Sequence, residues 1–271
     1  MFQNEDTYTS LYELKKAKAR PYKKTYDFPG DYINDHHKFF TTCPRGRMGI
    51  DFIINIGIDG YLLPEDALKL YELAYFCKGD ILELGTFKGL STFIIAQALD
   101  DSHSQGIIHT DDIDEKNSKL AQKKIAEHSY SRYVNFNVMD ATEFCDRKIV
   151  ERRRYDFIFI DHWHGYDATY SAAMRAKKLL NVGGFCLFHD YTDPGNADPD
   201  NIYGVYQAAH DAMLCDEHFD FSGAFGSTGL FRKNKESWDL YQTQESYFPQ
   251  ILPARYPLFF RKSYLIINGS I

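Results

Sequence analysis

The chain has 271 residues, 44% of them hydrophobic, enough for one large core with a minor appendage. Its formal net charge of -7 opposes a broad nucleic-acid or anionic-membrane surface, because phosphates demand a concentrated basic footprint, and points to a small-molecule partner instead. Cys43, Cys77, Cys145, Cys186 and Cys215 are odd in number and never form a C-x-x-C pair, which argues against a disulfide framework or a zinc knot and fits the reduced thiols of a cytoplasmic protein. The opening "MFQNEDTYTS" lacks the basic-then-apolar pattern of a secretion signal, and no apolar run approaches the length of a membrane span.

In chain order, residues 1–60 read as a polar, aromatic-rich extension with a weak helical period in "LYELKKAKAR", and they suit a lid or an oligomer contact. From Pro64 the pattern becomes regular. "PEDALKLYELAYFC" opens on proline and two acids, as helix N-termini do. Strands are expected over "DILEL", "GIIHT", "VNFNVM", "YDFIFI" and "GFCLFH". Between and after them lie helices over "LSTFIIAQAL", "EKNSKLAQKKIAEH", "ATEFCDRKIV", "YSAAMRAKKLL" and "VYQAAHDAML". "HFDFSGAF" and "GLFRK" around "GST" then read as an antiparallel hairpin. The alternation predicts an α/β fold: a Rossmann-like, doubly wound, mostly parallel seven-stranded sheet over residues 61–235, closed by that hairpin. Residues 236–271, aromatic and proline-punctuated, are expected to pack on this domain or to serve a homo-oligomer.

In open parallel sheets ligands collect beyond the carboxyl ends of the strands, which is where "DILELGTFKGLS" lies. Gly85 and Gly89 allow a tight turn and close ligand approach, with Thr86 and Phe87 between them. A dinucleotide fingerprint needs G-x-G-x-x-G, and here its positions hold Gly85, Phe87 and Leu90, so an NAD-linked oxidoreductase is the weaker alternative. Glu83 repels a pyrophosphate and suits a cation. Further on, an acid ending the second strand in "HTDDID" can accept from ribose hydroxyls: Asp112 is the candidate, Asp111 and Asp114 its rivals, helix capping the plain alternative. Asp140, with Ala141 beside it, follows the third strand in "VMDATEF", where helix capping is again an alternative.

The stretch "ELGTFKGLS" resembles the first motif of class I S-adenosylmethionine-dependent methyltransferases, in particular the catechol O-methyltransferase-like branch and the antibiotic-sugar (macrocin-type) O-methyltransferases. The resemblance implies that Glu83 engages the methionine amine, Gly85 admits the cofactor to the backbone, Ser91 contacts the carboxylate and Asp140 meets the adenine amino group. "YDFIFIDHWHGY" carries the resemblance further, because its strand delivers Asp161, His162, Trp163 and His164 to the same edge. In the resembling enzymes the Asp binds magnesium, the Trp walls the pocket and a following Lys is the general base. His164 stands in the place of that Lys, and an imidazole is chemically suited to the task.

"GFCLFHDY" ends in His189 and Asp190, where those enzymes hold two further metal ligands. The expected metal set is Asp161, His189 and Asp190, taking Mg or Mn, with a nitrogen ligand favouring a transition ion over magnesium. Without a metal, His164 or His189 is the base, oriented by Asp161 or Asp190. The implied activity is methyl transfer from S-adenosyl-L-methionine to a hydroxyl of a small molecule such as a sugar, phenol or secondary metabolite. A noncatalytic adenosyl-binding protein of the same fold is a third reading. Arg152, Arg153 and Arg154 read as a solvated turn, and "YTDPGNADPDNIYG" as a surface loop or acceptor lid.

Overall fold

The computed structural model describes residues 32–43 and 53–235. The helical period expected over "LYELKKAKAR" and the segment from 236 onward lie outside these residues. Among the described residues helix α1 (Asp35–Thr42) comes first, capped by the Asn34 side chain, which accepts from the His37 amide. Helix α2 (Pro64–Tyr75) then begins where the proline predicts, with Glu65 and Asp66 in its first turn. Strand β1 (Ile81–Leu84) leads through the glycine turn into α3 (Leu90–Asp101), followed by β2 (Ile108–Asp112), α4 (Glu115–Glu127), β3 (Val134–Val138) and α5 (Ala141–Val150). After β4 (Tyr155–Ile160) come α6 (Tyr166–Leu179), β5 (Leu180–Phe188), α7 (Val205–Ala209), β6 (Phe219–Phe225) and β7 (Thr228–Lys233).

The seven strands pair in the order β3-β2-β1-β4-β5-β7-β6. Strands β1 to β5 run parallel, and the order reverses between β1 and β4, so the switch point opens beside the glycine turn. The hairpin closes the sheet as expected, with β7 inserted antiparallel between β5 and β6. Strand parity divides the core. Ile81, Phe157, Phe159 and Leu187 face α2, α3 and α4. Leu82, Leu84, Ile158, Ile160, Cys186 and Phe188 face α5, α6 and α7.

Three elements depart from the sequence reading. Helix α6 starts at Tyr166, a turn earlier than the apolar period suggests, because Gly165 opens it without a side-chain cap to mark the boundary. Strand β5 begins at Leu180, directly at the helix end, and a register shift against β4 after Tyr155 absorbs the extra residues. The helix expected across "VYQAAHDAML" is α-helical only to Ala209, and residues His210–Leu214 form a π-helical turn. Lys177 of α6 reaches that turn, donating to the Ala212 carbonyl at 2.9 Å and pairing with Asp216 at 2.5 Å, so the backbone oxygen there is satisfied from outside the helix. Arg152, Arg153 and Arg154 are exposed, as a solvated turn should be. No helix among the described residues is long and apolar enough to cross a membrane.

Candidate active site

Glu83 pairs in register with Thr110 of β2 and Phe159 of β4. It is fully buried, and its Oε2 accepts from the hydroxyls of Thr92 at 2.6 Å and Thr110 at 2.7 Å. Its Oε1 is buried with no hydrogen bond of its own. Burial pushes the carboxyl up to about 7, against the hydroxyls of Ser91, Thr92 and Thr110, which favour the charged form. The carboxyl thus combines a raised pKa with one buried oxygen that has no hydrogen-bond partner.

The turn after β1 leaves no room for side chains where the strands meet. Gly85 has φ +97°, and a Cβ there would overlap the backbone carbonyl of Asp161, so the glycine and the end of β4 are in direct contact. Phe87, at the position where dinucleotide folds need glycine, still takes a left-handed φ of +44°. Its amide donates to Asp112 Oδ2 at 2.6 Å, a bond that holds the turn in this strained form. Gly89 heads α3 with φ +91°, close against Ala121. Thr86 is buried and bonds the Thr110 hydroxyl at 2.6 Å, and Ser91 is buried in the first turn of α3.

The competing acids of β2 separate by parity. Asp112 lies on the Glu83 face at the strand end, with Oδ1 accepting from the Asp114 amide. Asp114 caps α4, and Asp111 is buried on the opposite face, where desolvation holds its carboxyl well above the ordinary range. Asp140 caps α5, its Oδ1 accepting from the amides of Thr142 and Glu143, so the capping alternative describes that residue in this structure. Asp140 and Ala141 nonetheless stand at the same strand edge, exposed and half-buried.

At the carboxyl ends of β4 and β5 the structure gathers Asp161, His164, His189 and Asp190. His164 Nε2 lies 3.1 Å from Asp190 and 3.7 Å from Asp161. His189 Nδ1 lies 3.1 Å from Asp161 and 3.4 Å from Asp190. His164 is a third exposed, whereas His189 is 5% exposed. Asp190 takes a left-handed φ of +55°, which an Asp tolerates better than most residues and which turns its carboxylate back towards His164. Burial works against a charge on His189, yet Asp161 and Asp190 outweigh it and raise its pKa well above the ordinary value. For Asp161 burial is likewise overcome, here by His189 and His164, and its carboxyl is held low. His164 is also raised, since Asp161 and Asp190 offset its desolvation.

The metal set expected was Asp161, His189 and Asp190. The three that present ligand atoms all within 4.8 Å of one another are Asp161, His164 and Asp190. Two carboxylates and an imidazole fit a divalent transition ion such as manganese better than magnesium, which prefers oxygen alone. Trp163 is 63% exposed, its indole lying against Gly165.

Two contributors carry no signal in the linear sequence. Asp66, on the first turn of α2, lies 3.7 Å from His189 Nε2 and accepts from the amide and hydroxyl of Ser227 in the hairpin turn and from the Leu63 amide. Tyr203 stacks on the His164 ring at 5.0 Å and 17°, while the Gly204 amide donates to the His164 carbonyl at 2.8 Å. The loop "YTDPGNADPDNIYG" is thus pinned at its far end to the candidate base. Near its start, Asn196 bonds the carbonyls of Asp190 and Asp193. A hollow of about 410 Å³ between residues 103–107 and Arg132–Tyr133 lies at the opposite, amino-terminal edge of the sheet, away from all of these groups.

Comparison with known proteins places this edge in context. Residues 82–191 match the model of a methyltransferase domain family. Among solved structures, the chain is similar to an O-methyltransferase from Bacillus cereus in complex with S-adenosylhomocysteine (19% identity, TM-score 0.55, covering 66% of this chain and 84% of that one). It is equally similar to the O-methyltransferase TomG from Streptomyces achromogenes, involved in tomaymycin synthesis and solved with S-adenosylmethionine (19% identity, TM-score 0.55, covering 64% and 82%). No curated protein sequence matches. The family match is to a methyltransferase domain, which leaves the NAD-linked alternative without support. The glycine turn lacks the dinucleotide spacing, the stretch from β1 past β5 matches a methyltransferase domain family, and the chain shares its fold with solved O-methyltransferases.

Proposed function

We propose that the protein transfers the methyl group of S-adenosylmethionine to a hydroxyl oxygen of a small molecule. The observation that carries the reading is contiguity: the Gly85 turn touches the Asp161 backbone, so a cofactor seated on the turn presents its sulfonium beside Asp161, His164 and Asp190. In this reading Glu83 takes the ammonium on its unpartnered Oε1 and Ser91 the carboxylate. Asp112 takes the ribose hydroxyls, and Asp140 with Ala141 the adenine edge. Methyl transfer asks for an in-line approach of an activated oxygen, which positioning accelerates greatly.

His164 is the base, because it is accessible where His189 is buried, and Tyr203 and Asp190 hold its ring. His189, enclosed by Asp66, Asp161 and Asp190, positions the two carboxylates. Where a divalent ion is bound instead, Asp161, His164 and Asp190 are the groups that would hold it, and His164 is then a ligand and not the base. When bound, such an ion lowers the pKa of an acceptor hydroxyl. The two solved O-methyltransferases of like fold support the choice of oxygen as acceptor.

The test is a screen of sugars, phenols and other hydroxylated metabolites with labelled methyl donor, run with and without chelator. His164→Ala should lower kcat on the identified acceptor by about 100-fold or more, the usual contribution of a general base, while S-adenosylhomocysteine still binds. Intact turnover in that variant would overturn the assignment of the base. Loss of activity with chelator, restored by manganese, would establish metal assistance, and indifference to chelator would leave His164 acting alone.

A further inference from the structure

The π-helical turn that ends α7 is a departure from regular helix geometry that the methyl-transfer edge does not explain. Its widened hydrogen bond runs from the Cys215 amide to the His210 carbonyl at 3.3 Å. In an α-helix residues five apart point about 140° away from each other, at about 100° per residue. A π-turn closes i to i+5 instead and sets Cys215 over His210.

The consequence is a mixed cluster: His210, Asp211 and Cys215 present a nitrogen, an oxygen and a sulfur that all lie within 4.8 Å of one another. His210 Nδ1 lies 3.7 Å from Asp211 Oδ1 and is buried without a hydrogen bond. Asp211 is already oriented from behind, accepting from the Tyr166 hydroxyl at 3.1 Å and the Gln207 amide at 2.7 Å. Metal-binding carboxylates are typically held by such outer contacts. Cys215 is exposed, so an ion can enter from solvent.

We propose that His210, Asp211 and Cys215 form a zinc site. Imidazole, carboxylate and thiolate together are a donor set that zinc accepts in tetrahedral geometry, with water as the fourth ligand, whereas magnesium and calcium avoid sulfur. On binding, the thiol proton goes to solvent and the sulfur lone pair forms the metal bond, with no change of oxidation state. The cluster shares no residue with the set Asp161, His164 and Asp190. Cys215 adjoins Asp216, which pairs with Lys177 near the start of β5, while Asp161 and Asp190 follow the opposite, carboxyl ends of β4 and β5. The ion therefore braces the junction of α6, α7 and β6 and takes no part in the reaction.

Cobalt(II) added to metal-stripped protein reads the sulfur directly, because thiolate coordination produces an intense near-ultraviolet charge-transfer band that carboxylate and imidazole sites lack. The wild type should show the band at one equivalent, lose it on adding zinc, and melt several degrees higher with zinc alone. Cys215→Ser should abolish the band and the zinc-induced rise in Tm while leaving methyl transfer unchanged. Tyr166→Phe should weaken zinc binding about tenfold. Asp161→Asn, which disables the other cluster, should keep the band. Absence of a band in the wild type, its persistence in Cys215→Ser, or its loss in Asp161→Asn would each overturn the proposal. Should Cys215→Ser fold poorly, Asp211→Asn provides the same reading with the thiol in place: its band must weaken or the carboxylate is not a ligand.

Discussion

Replacing Glu83 with Gln should flatten a pH dependence that the wild-type site builds into cofactor binding. The empty protein holds this carboxyl at about 7, above an ordinary value near 4.5, chiefly because it is buried. The folded state thus binds the proton more tightly than the unfolded chain. Stability from this group is fully present below about pH 4.5 and is lost as the pH rises through about 7, some 3 kcal/mol in all at about 1.4 kcal/mol per pKa unit. A ligand ammonium needs the carboxylate, so its affinity is reduced by the factor 1 + 10^(pKa − pH), roughly 30-fold at pH 5.5 and about twofold at pH 7. S-adenosylhomocysteine should therefore bind about fifteenfold more tightly at pH 7 than at pH 5.5 in calorimetric titrations at constant ionic strength. At alkaline pH, where the ligand's own amine loses its proton, the gain should stop. Glu83→Gln should bind more weakly at pH 7 and show a level profile below it. A wild-type affinity that stays constant from pH 5.5 to 7, or a Gln variant with the wild-type slope, refutes the assignment of the ammonium to Glu83.

Two perturbations test the contacts that hold the site together. Gly85→Ala puts a methyl group into the Asp161 carbonyl at a left-handed φ and should cost about 2–4 kcal/mol, a fall in Tm of at least several degrees by calorimetry; an unchanged Tm would show that the end of β4 can move freely. Asp66→Ala strips acceptors from the half-buried amides of Leu63 and Ser227 and should cost about 2 kcal/mol in denaturant unfolding, with kcat reduced more than KM is raised, whereas a purely structural role would leave kcat intact in the folded fraction.

Local chemistry was readable in the chain where it repeats within a few residues. Pro64 and the acids behind it marked the start of α2, and the runs Ala141–Val150 and Tyr155–Ile160 match their elements because apolar period and turn residues agree. The hairpin was legible for the same reason, although β7 rather than β6 takes the place beside β5, which only pairing decides. Among the acids after β2, strand parity separates Asp112 from Asp111 once the strand is known to reach Asp112. Asp66 and Tyr203 were invisible. They meet His189 and His164 through packing and not through spacing, and nothing local distinguishes them from a helix-start acid and a loop tyrosine. The difference in burial between His164 and His189, on which the proposed choice of base rests, is likewise not encoded in a strand-end motif. The π-turn was missed because its apolar positions keep an ordinary helical rhythm and the widening is supported by Lys177 from another helix.

The bond between Asp66 and Ser227 spans 161 positions of sequence. During synthesis on the ribosome, the glycine turn and its contact with Asp161 are complete in sequence once β4 has emerged, yet the enclosure around His189 waits for the hairpin tip to return to the start of α2. A chain halted short of residue 227 would lack strand β7, whose Leu230 and Phe231 are buried in the two halves of the core, so the covering of β5 and the enclosure around His189 are completed together.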